Sequence, residues 1–254
     1  MMKIGGERMK ALGVILARAG SVGLPNKHML PLMGQPVIAH TFWHARASQR
    51  LSRVVVSSDS AEIRSLATAF GFQSISRPSA LATSDASVQD VMLHAMETVE
   101  SSSAFRADAL VVLYGNVPVR PENAIDEALK ILSETGCDSV RSLCPVGKWH
   151  PKWMSKLEQD RVVPLHPGSI HRRQDLEPLF LHDGAVVAVS RASMLRGKSK
   201  PSDPHAFFGE DRRGFKTLPG QTIEIDELRD LYWAQACLAA QHDERATPIF
   251  REAI

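Results

Sequence analysis

The first half of the chain alternates short apolar runs with longer segments in which apolar residues recur at helical spacing. The short runs are rich in branched side chains and bounded by turn residues, which is typical of strands buried in a parallel sheet. They predict strands over residues 11–16, 54–57 and 110–114. The longer segments predict helices over residues 36–48, 61–70, 88–99 and 121–134, with Ser84 or Ser87 capping the third. The alternation predicts an α/β fold, a wound parallel sheet flanked by helices with a ligand crevice at one end of its strands.

The pattern changes near residue 144. Residues 144–183 are rich in proline, histidine and charged side chains without a clear period, so we interpret them as an excursion out of the sheet and not as a second core. A strand is predicted over residues 184–190, a polar stretch over 197–220, a last strand over 221–225 and a closing helix over 227–242. The whole chain, residues 1–254, is therefore predicted to form a single domain.

Composition narrows the class of protein. Hydrophobic residues make up 44% of the 254 residues and charged residues 23%, as in ordinary globular proteins. A formal charge of +2 argues against a nucleic-acid partner or a membrane surface, and no apolar run approaches the length of a bilayer span. The first eight residues are charged and contain no apolar segment, so we expect no signal peptide and a cytoplasmic protein. Three cysteines without metal-ligand spacing predict buried free thiols.

A glycine-containing loop follows the first predicted strand. Residues 16–27 contain two glycines and a serine, which let the backbone curl so that successive N–H groups point at one anion. Arg18 and Lys27 bracket the curl with positive charge, which favours a nucleoside triphosphate. The spacing matches neither a Walker A loop nor the dinucleotide fingerprint. An ordinary turn carrying two solvated cations is the alternative.

Two carboxylates stand at the end of the last predicted strand. Glu224 and Asp226 alternate along it, so both side chains are expected on one face. Two hard oxygen donors on one face suit Mg²⁺, which takes few protein ligands. The alternative is that Asp226 caps the helix that begins at residue 227.

Six blocks, in order along the chain, carry a resemblance to a known family. They are the loop at 16–27, the segment 32–41 with Gly34-Gln35-Pro36, Ser57-Ser58-Asp59, Arg77-Pro78 with Leu81-Ala82 and Ser84-Asp85, Arg173-Gln174-Asp175-Leu176 with Asp183-Gly184-Ala185, and Ile223-Glu224-Ile225-Asp226. Together they resemble the signatures of the acylneuraminate cytidylyltransferases, which make CMP-activated sialic acids and related nonulosonic acids. Each block alone is weak evidence for the family, but the six occur in the same order as in the family and together span most of the chain.

The resemblance implies a Rossmann-like nucleotidyltransferase fold and transfer of CMP from CTP to the anomeric hydroxyl of an acidic α-keto sugar, with release of pyrophosphate. It implies that Lys27 lies nearest the α-phosphate and that the catalytic residues are Lys27, Arg18 and Asp226. It also implies that Glu224 and Asp226 bind Mg²⁺. The implied nucleotide-binding residues are Arg18, Ala19, Gly20, Ser21, Gly23, Lys27, His28, Arg77, Ser84 and Asp85.

For the sugar acid, the resemblance implies Arg173, because a guanidinium matches a carboxylate with two parallel bonds. The other implied substrate-binding residues are Gln174, Lys152, Tyr114 and Asn116. The resemblance further implies that the excursion carries the acid-sugar site and part of a homodimer contact.

Several positions depart from the family pattern. Val22 replaces a loop cation, His28 replaces an asparagine and Glu224 replaces an aspartate. Residues 114–120, Tyr-Gly-Asn-Val-Pro-Val-Arg, stand where the family has Leu-Gln-Pro-Thr-Ser-Pro-Leu-Arg. An altered sugar pocket is our interpretation, and an octulosonic acid as acceptor stays an alternative. A non-catalytic nucleotide-binding relative is a second alternative, which the retained Arg18, Lys27 and Asp226 disfavour.

Overall fold

A computed structural model describes residues 8–20, 23–168 and 170–242. Its centre is a seven-stranded sheet with the strand order β11-β7-β10-β6-β1-β4-β5. These strands are β1 (Ala11–Leu16), β4 (Leu51–Ser58), β5 (Gln73–Ser76), β6 (Ala109–Tyr114), β7 (Ser139–Pro145), β10 (Phe180–Ser190) and β11 (Arg212–Lys216). Strand β10 is antiparallel to both of its neighbours, and the other neighbouring strands pair in parallel. The predicted mostly parallel, wound sheet is confirmed.

Helices cover both faces of this sheet. They are α1 (Val37–Ala47), α2 (Ala61–Ala69), α3 (Val88–Ser102), α4 (Ala124–Thr135), α5 (Arg191–Lys198) and α6 (Leu228–His242). Helices α1, α2 and α4 pack in one hydrophobic cluster, while α3 and α5 pack in a second cluster. Alternate residues of β1 point into the two clusters, Ile15 into the first and Leu12 into the second. Burial on both faces explains why the parallel strands are continuous apolar runs.

A third hydrophobic cluster holds the segment that follows β11. The short hairpin of β2 (Pro31–Leu32) and β3 (Gln35–Pro36) lies close to α6. Ile223 and Ile225 are buried in this cluster with Leu32 and Leu238. Since both isoleucines point into the cluster, the alternating Glu224 and Asp226 remain exposed.

The excursion leaves the sheet after β7 and returns at β10, close to the predicted limits. Within it, β8 (Ser155–Glu158) and β9 (Arg161–Pro164) form a two-stranded hairpin apart from the main sheet. The apolar side chains of Trp149, Leu157 and Val162 are exposed on this excursion.

Some predicted elements were wrong or missed. The strand expected over residues 221–225 is absent from the described sheet, where only a single bridge joins Ile223 to Val119. Its backbone is instead attached to the turn after β6, because Ile225 N–H donates to the Asn116 carbonyl at 2.8 Å. Strands β5, β7 and β11 and helix α5 were missed. The cap of α3 is Ser87, whose hydroxyl accepts from the amide of Asp90.

Two further expectations concern the whole chain. The three cysteines are free thiols, but only Cys137 is buried, while Cys144 and Cys237 are half-buried. Among the described residues, no helix combines the length and the apolar character needed to cross a bilayer.

Candidate active site

A cleft of about 230 Å³ lies where the parallel strands β1 and β6 end, at the edge expected for a ligand in a wound sheet. Its walls are formed by the end of β1, by the loops that follow β1, β5 and β6, and by Glu224. The lining residues are Leu16, Ala17, Arg18, Lys27, His28, Arg77, Leu81, Thr83, Ser84, Ala86, Val88, Val91, Tyr114, Asn116 and Glu224. Eight of the predicted site residues therefore meet in one cleft.

The loop after β1 supplies cations to this cleft. Asn26 adopts a left-handed backbone with φ 51°, which asparagine tolerates better than most residues, and begins a 3-10 turn over Lys27–Met29. The turn places Lys27 and His28 on the cleft wall beside Arg18. Ser21, a predicted phosphate contact, and Val22 lie outside the described residues.

The same loop is fixed at two points. The amide of Ala19 donates to Asp59 Oδ1 at 2.9 Å, so the loop is attached to the end of β4. A Cβ on Gly23 would lie 2.8 Å from the Asp226 carbonyl oxygen, so only glycine allows this approach. Gly20 is exposed on the loop surface.

Arg77 is held rigidly in the cleft wall. Its Nη2 donates to the Ser57 carbonyl at 2.6 Å and its Nε donates to Ser57 Oγ at 3.1 Å. Burial lowers the pKa of Arg77 to about 10, and the nearby Asp59 carboxylate partly opposes this shift. The guanidinium therefore stays charged at neutral pH in a fixed orientation.

His28 is buried and uncharged. Burial, followed by the positive charge of Lys27, lowers the pKa of His28 to about 4. Its Nδ1 is buried and has no hydrogen-bond partner among the described residues. The ring packs against Gly115, where an added Cβ would lie 3.0 Å from His28 Cδ2. A neutral imidazole with a free nitrogen can exchange hydrogen bonds with a ligand without adding charge.

The two carboxylates meet the loop across the cleft. Lys27 Nζ lies 2.6 Å from Asp226 Oδ1. Asn116 Nδ2 donates to Glu224 Oε1 at 3.1 Å and to Asp226 Oδ1 at 3.4 Å. The start of α6 is served instead by Asp230, whose carboxylate accepts from the amides of Asp226 and Glu227. The Asp226 carboxylate thus contacts Lys27 of the cleft wall without lining the cleft itself, and Asp230 takes the capping role.

Tyr114 ends β6 beside these carboxylates. Burial, followed by the negative charge of Glu224, raises the pKa of Tyr114 to about 12. The phenol is therefore protonated at neutral pH and can donate a hydrogen bond to a bound ligand.

Among the described residues, eight of the predicted site residues are not part of the cleft lining: Ala19, Gly20, Gly23, Asp85, Lys152, Arg173, Gln174 and Asp226. Asp85 is exposed beside it and accepts from the Ser84 hydroxyl at 3.3 Å. Arg173 and Gln174 are exposed on the excursion. Lys152 lines a separate pocket of about 90 Å³ with His166 and Pro167. Within one copy of the described chain, these excursion residues are not part of the cleft lining.

Sequence reasoning missed the apolar side of the cleft. Leu81, Val88 and Val91 line it, but their apolar character alone did not distinguish them from core residues. It also missed the role of Asp59, although a polar residue directly after a buried strand is the available signal.

Comparison with known proteins identifies the family and the fold of the chain. The family model described as cytidylyltransferase matches residues 12–205. The N-acylneuraminate cytidylyltransferase of Streptococcus agalactiae serotype V is 33% identical over 226 residues, which cover 87% of this chain and 52% of that protein. The chain thus spans about half the length of that relative.

Two relatives are matched over most of their length. The CMP-N,N'-diacetyllegionaminic acid synthase of Legionella pneumophila is 30% identical over 77% of this chain and 84% of that protein. The 3-deoxy-manno-octulosonate cytidylyltransferase of Chlorobium chlorochromatii is 32% identical over 87% of this chain and 84% of that protein.

A solved structure shares the fold. A CMP:2-keto-3-deoxy-manno-octonic acid synthetase complexed with CTP superposes with a TM-score of 0.70 at 22% identity, covering 91% of this chain and 99% of that chain. The nucleotidyltransferase fold is thereby confirmed. With the family model and the two relatives matched over most of their length, the chain belongs to the cytidylyltransferase family, as its resemblance to the acylneuraminate cytidylyltransferases predicted.

Proposed function

We propose that this protein transfers CMP from CTP to the anomeric hydroxyl of an acidic α-keto sugar, a sialic acid or a related nonulosonic acid, and releases pyrophosphate. The observation that carries the proposal is the pairing of Lys27 with Asp226 across the cleft. This pairing brings a loop suited to phosphates within 2.6 Å of a carboxylate suited to a metal ion. Relatives with cytidylyltransferase names support the reaction class.

The loop would hold the triphosphate. Arg18 and Lys27 offset its negative charge, and the backbone amides of Gly20, Ser21 and Gly23 add donors, while the Ala19 amide already donates to Asp59. Lys27 is the cation that reaches farthest toward the carboxylates, so it would lie next to the α-phosphate. Charge-assisted bonds from these groups orient the α-phosphorus for in-line attack.

The base and ribose would lie against His28, Arg77, Ser84 and Asp85. Arg77 is fixed by Ser57, so its guanidinium is already oriented before a ligand arrives. His28 is neutral above a pH of about 4 and can donate or accept a hydrogen bond. The apolar side chains of Leu81 and Val88 line the same cleft and suit the face of a base.

Glu224 and Asp226 fit a Mg²⁺ ion. Both carboxylates accept from the Asn116 amide, and a cation, the Lys27 ammonium, already lies against Asp226. Among the described residues, no group of three or more His, Cys, Asp or Glu side chains could hold a metal ion, so water and phosphate oxygens would have to supply the remaining ligands. When bound, the ion would neutralise charge that develops on the phosphates.

The excursion would bind the sugar acid. Arg173 offers a forked donor for the carboxylate, and Gln174 and Lys152 lie on the same excursion. The exposed Trp149 and Leu157 support a contact with a second copy, so we propose a homodimer in which residues 144–183 of the one domain take part.

An octulosonic acid is the second candidate acceptor. The Chlorobium relative carries that substrate in its name, and residues 114–120 depart from the acylneuraminate pattern. Tyr114 and Asn116 line the cleft at this position. The two candidates share the nucleotide chemistry and differ in the acceptor.

Nucleotide selectivity tests the first half of this proposal. With Mg²⁺ present, CTP at about one hundred times its Kd should stabilise the fold by about 2.7 kcal/mol, which raises the Tm by several degrees. Lys27→Ala should lose most of this shift, and the surface variant Lys130→Ala should keep it. Equal stabilisation by UTP or GTP in a melting experiment would contradict the cytidine assignment.

A further inference from the structure

Asn116 is buried at the end of β6 with its amide turned toward the carboxylates. Only 5% of the residue is exposed. Its Nδ2 donates to Glu224 Oε1 at 3.1 Å, to the Ile225 carbonyl at 3.1 Å and to Asp226 Oδ1 at 3.4 Å. All three acceptors belong to one short segment, so the side chain is committed to that segment.

The backbone fixes the same segment independently of the side chain. Ile225 N–H donates to the Asn116 carbonyl at 2.8 Å, and Ile223 and Ile225 are buried in the hydrophobic cluster below. The side-chain amide adds a second bond to this backbone, at the Ile225 carbonyl, and also contacts both carboxylates. Lys27 lies against Asp226 Oδ1 at 2.6 Å, and the Asn116 amide links that oxygen to Glu224 Oε1.

The length of Glu224 fits this arrangement. The added methylene of glutamate, compared with aspartate, carries Oε1 to within 3.1 Å of the Asn116 amide. Glu224 Oε2 lies near Gly184, 3.4 Å from where a Cβ on that residue would be, which is ordinary van der Waals contact. The carboxylate is thus oriented mainly by the donor at Oε1.

We propose that Asn116 is a positioning residue that orients the Glu224 and Asp226 carboxylates for the metal ion, and that it is not a contact of the sugar acid. The inference rests on the proposed function, because it assigns these carboxylates to a metal. Residues 116 and 224 both differ from the family pattern. The inference relates the two differences, because the amide of Asn116 donates to the carboxylate of Glu224. Hydrogen bonds to ligating carboxylates typically change metal affinity 10- to 100-fold.

Calorimetry of CTP binding with and without Mn²⁺ tests the inference. In Asn116→Ala, the affinity for CTP in EDTA should stay within about twofold of wild type, while the affinity for Mn²⁺·CTP falls about tenfold. The KM for the sugar acid should be unchanged. Asn123→Ala, an exposed asparagine whose side chain does not cap α4, is the matched control and should change neither affinity.

Two further variants keep the test decisive. Asn116→Leu preserves the buried volume without a donor, so it should show the same selective loss if the alanine variant does not fold. In a Glu224→Asp background, whose shorter side chain withdraws from the amide, the effect of Asn116→Ala should shrink to about threefold or less.

The outcomes separate the inference from the proposed function. Unchanged Mn²⁺·CTP affinity in folded Asn116 variants, or a raised KM for the sugar acid alone, would overturn the positioning role. Failure of the wild-type protein to bind CTP at all would overturn the proposed function itself.

Discussion

The Lys27–Asp226 pair is the residue-scale feature on which the site depends. The lysine side chain is 15% exposed and the aspartate side chain 62% exposed, so the pair is only partly shielded from water. An ion pair of this kind contributes about 1 kcal/mol or less to stability. Its position is therefore better explained by function than by folding.

Asp226→Asn separates these two roles. The amide is nearly isosteric but cannot supply an anionic ligand, so Mg²⁺-dependent turnover should fall at least about 100-fold. The Tm should change little, because the lost ion pair is weak. Pyrophosphate release and a melting curve on the same sample measure both quantities.

Asp230→Ala is the matched control. Its carboxylate accepts from the amides of Asp226 and Glu227, directly before α6, so its loss should cost about 1 kcal/mol of stability and leave metal dependence intact. Near-normal turnover in Asp226→Asn would return Asp226 to a capping role, because asparagine caps a helix about as well as aspartate.

The sequence predicted individual residues better than their partners. Arg18, Lys27 and Glu224 stood out because charged residues next to predicted strand ends mark a crevice, whereas Arg77 was predicted from the family resemblance alone. Asn116 and Glu224 lie 108 residues apart in the sequence. No local sequence pattern could therefore predict that the Asn116 amide donates to the Glu224 carboxylate. The prediction of Asn116 as a sugar contact followed its position in the loop and not its hydrogen bonds.

At the scale of elements, the turn after β6 and the loop after β1 are packed as a matched pair. A Cβ on Gly115 would lie 3.0 Å from His28 Cδ2, 3.1 Å from the Leu16 carbonyl oxygen and 3.2 Å from Ile38 Cδ1. The larger histidine at residue 28 and the glycine at residue 115 therefore occupy one shared space. Both departures from the family pattern are accounted for by this contact.

Gly115→Ala should accordingly be overpacked and lose about 1–3 kcal/mol of stability. Adding His28→Asn removes one of the three close contacts and should recover part of this loss. Urea unfolding of the single and double variants measures the coupling. Gly168→Ala, where an added Cβ meets nothing within 4 Å, is the control. Strict additivity of the two changes would contradict a shared space.

Helices and strands whose apolar residues recur at regular spacing were predictable from the sequence. Elements whose structure depends on tertiary contacts were not. The buried strand β1 and the helix α3 follow directly from their apolar spacing. Strand β11 is polar because it is an edge strand whose Arg212, Arg213 and Lys216 are exposed, so no apolar run marks it. Residues 221–225 alternate like a strand, but Ile223 and Ile225 pack under α6 outside the sheet.

At the scale of the whole molecule, the cleft lies on the central sheet, and the proposed sugar-acid residues lie on the excursion outside it. The cleft lies at the ends of β1 and β6, in the middle of the sheet, and beside the loop that follows β5. The proposed sugar-acid residues lie on the excursion between β7 and β10, where changes do not disturb the core. This division allows one fold to keep CTP chemistry while the acceptor changes.

Pyrophosphate release from CTP across a panel of acidic α-keto sugars tests the central claim most directly. We expect Mg²⁺-dependent release with a nine-carbon acid as acceptor. Arg173→Lys should raise the KM for that acid at least about tenfold while CTP affinity stays unchanged, because lysine lacks the forked donor. Faster release with an eight-carbon acid would move the assignment to the octulosonic acceptor. CTP binding without pyrophosphate release for any acid in the panel would contradict the account.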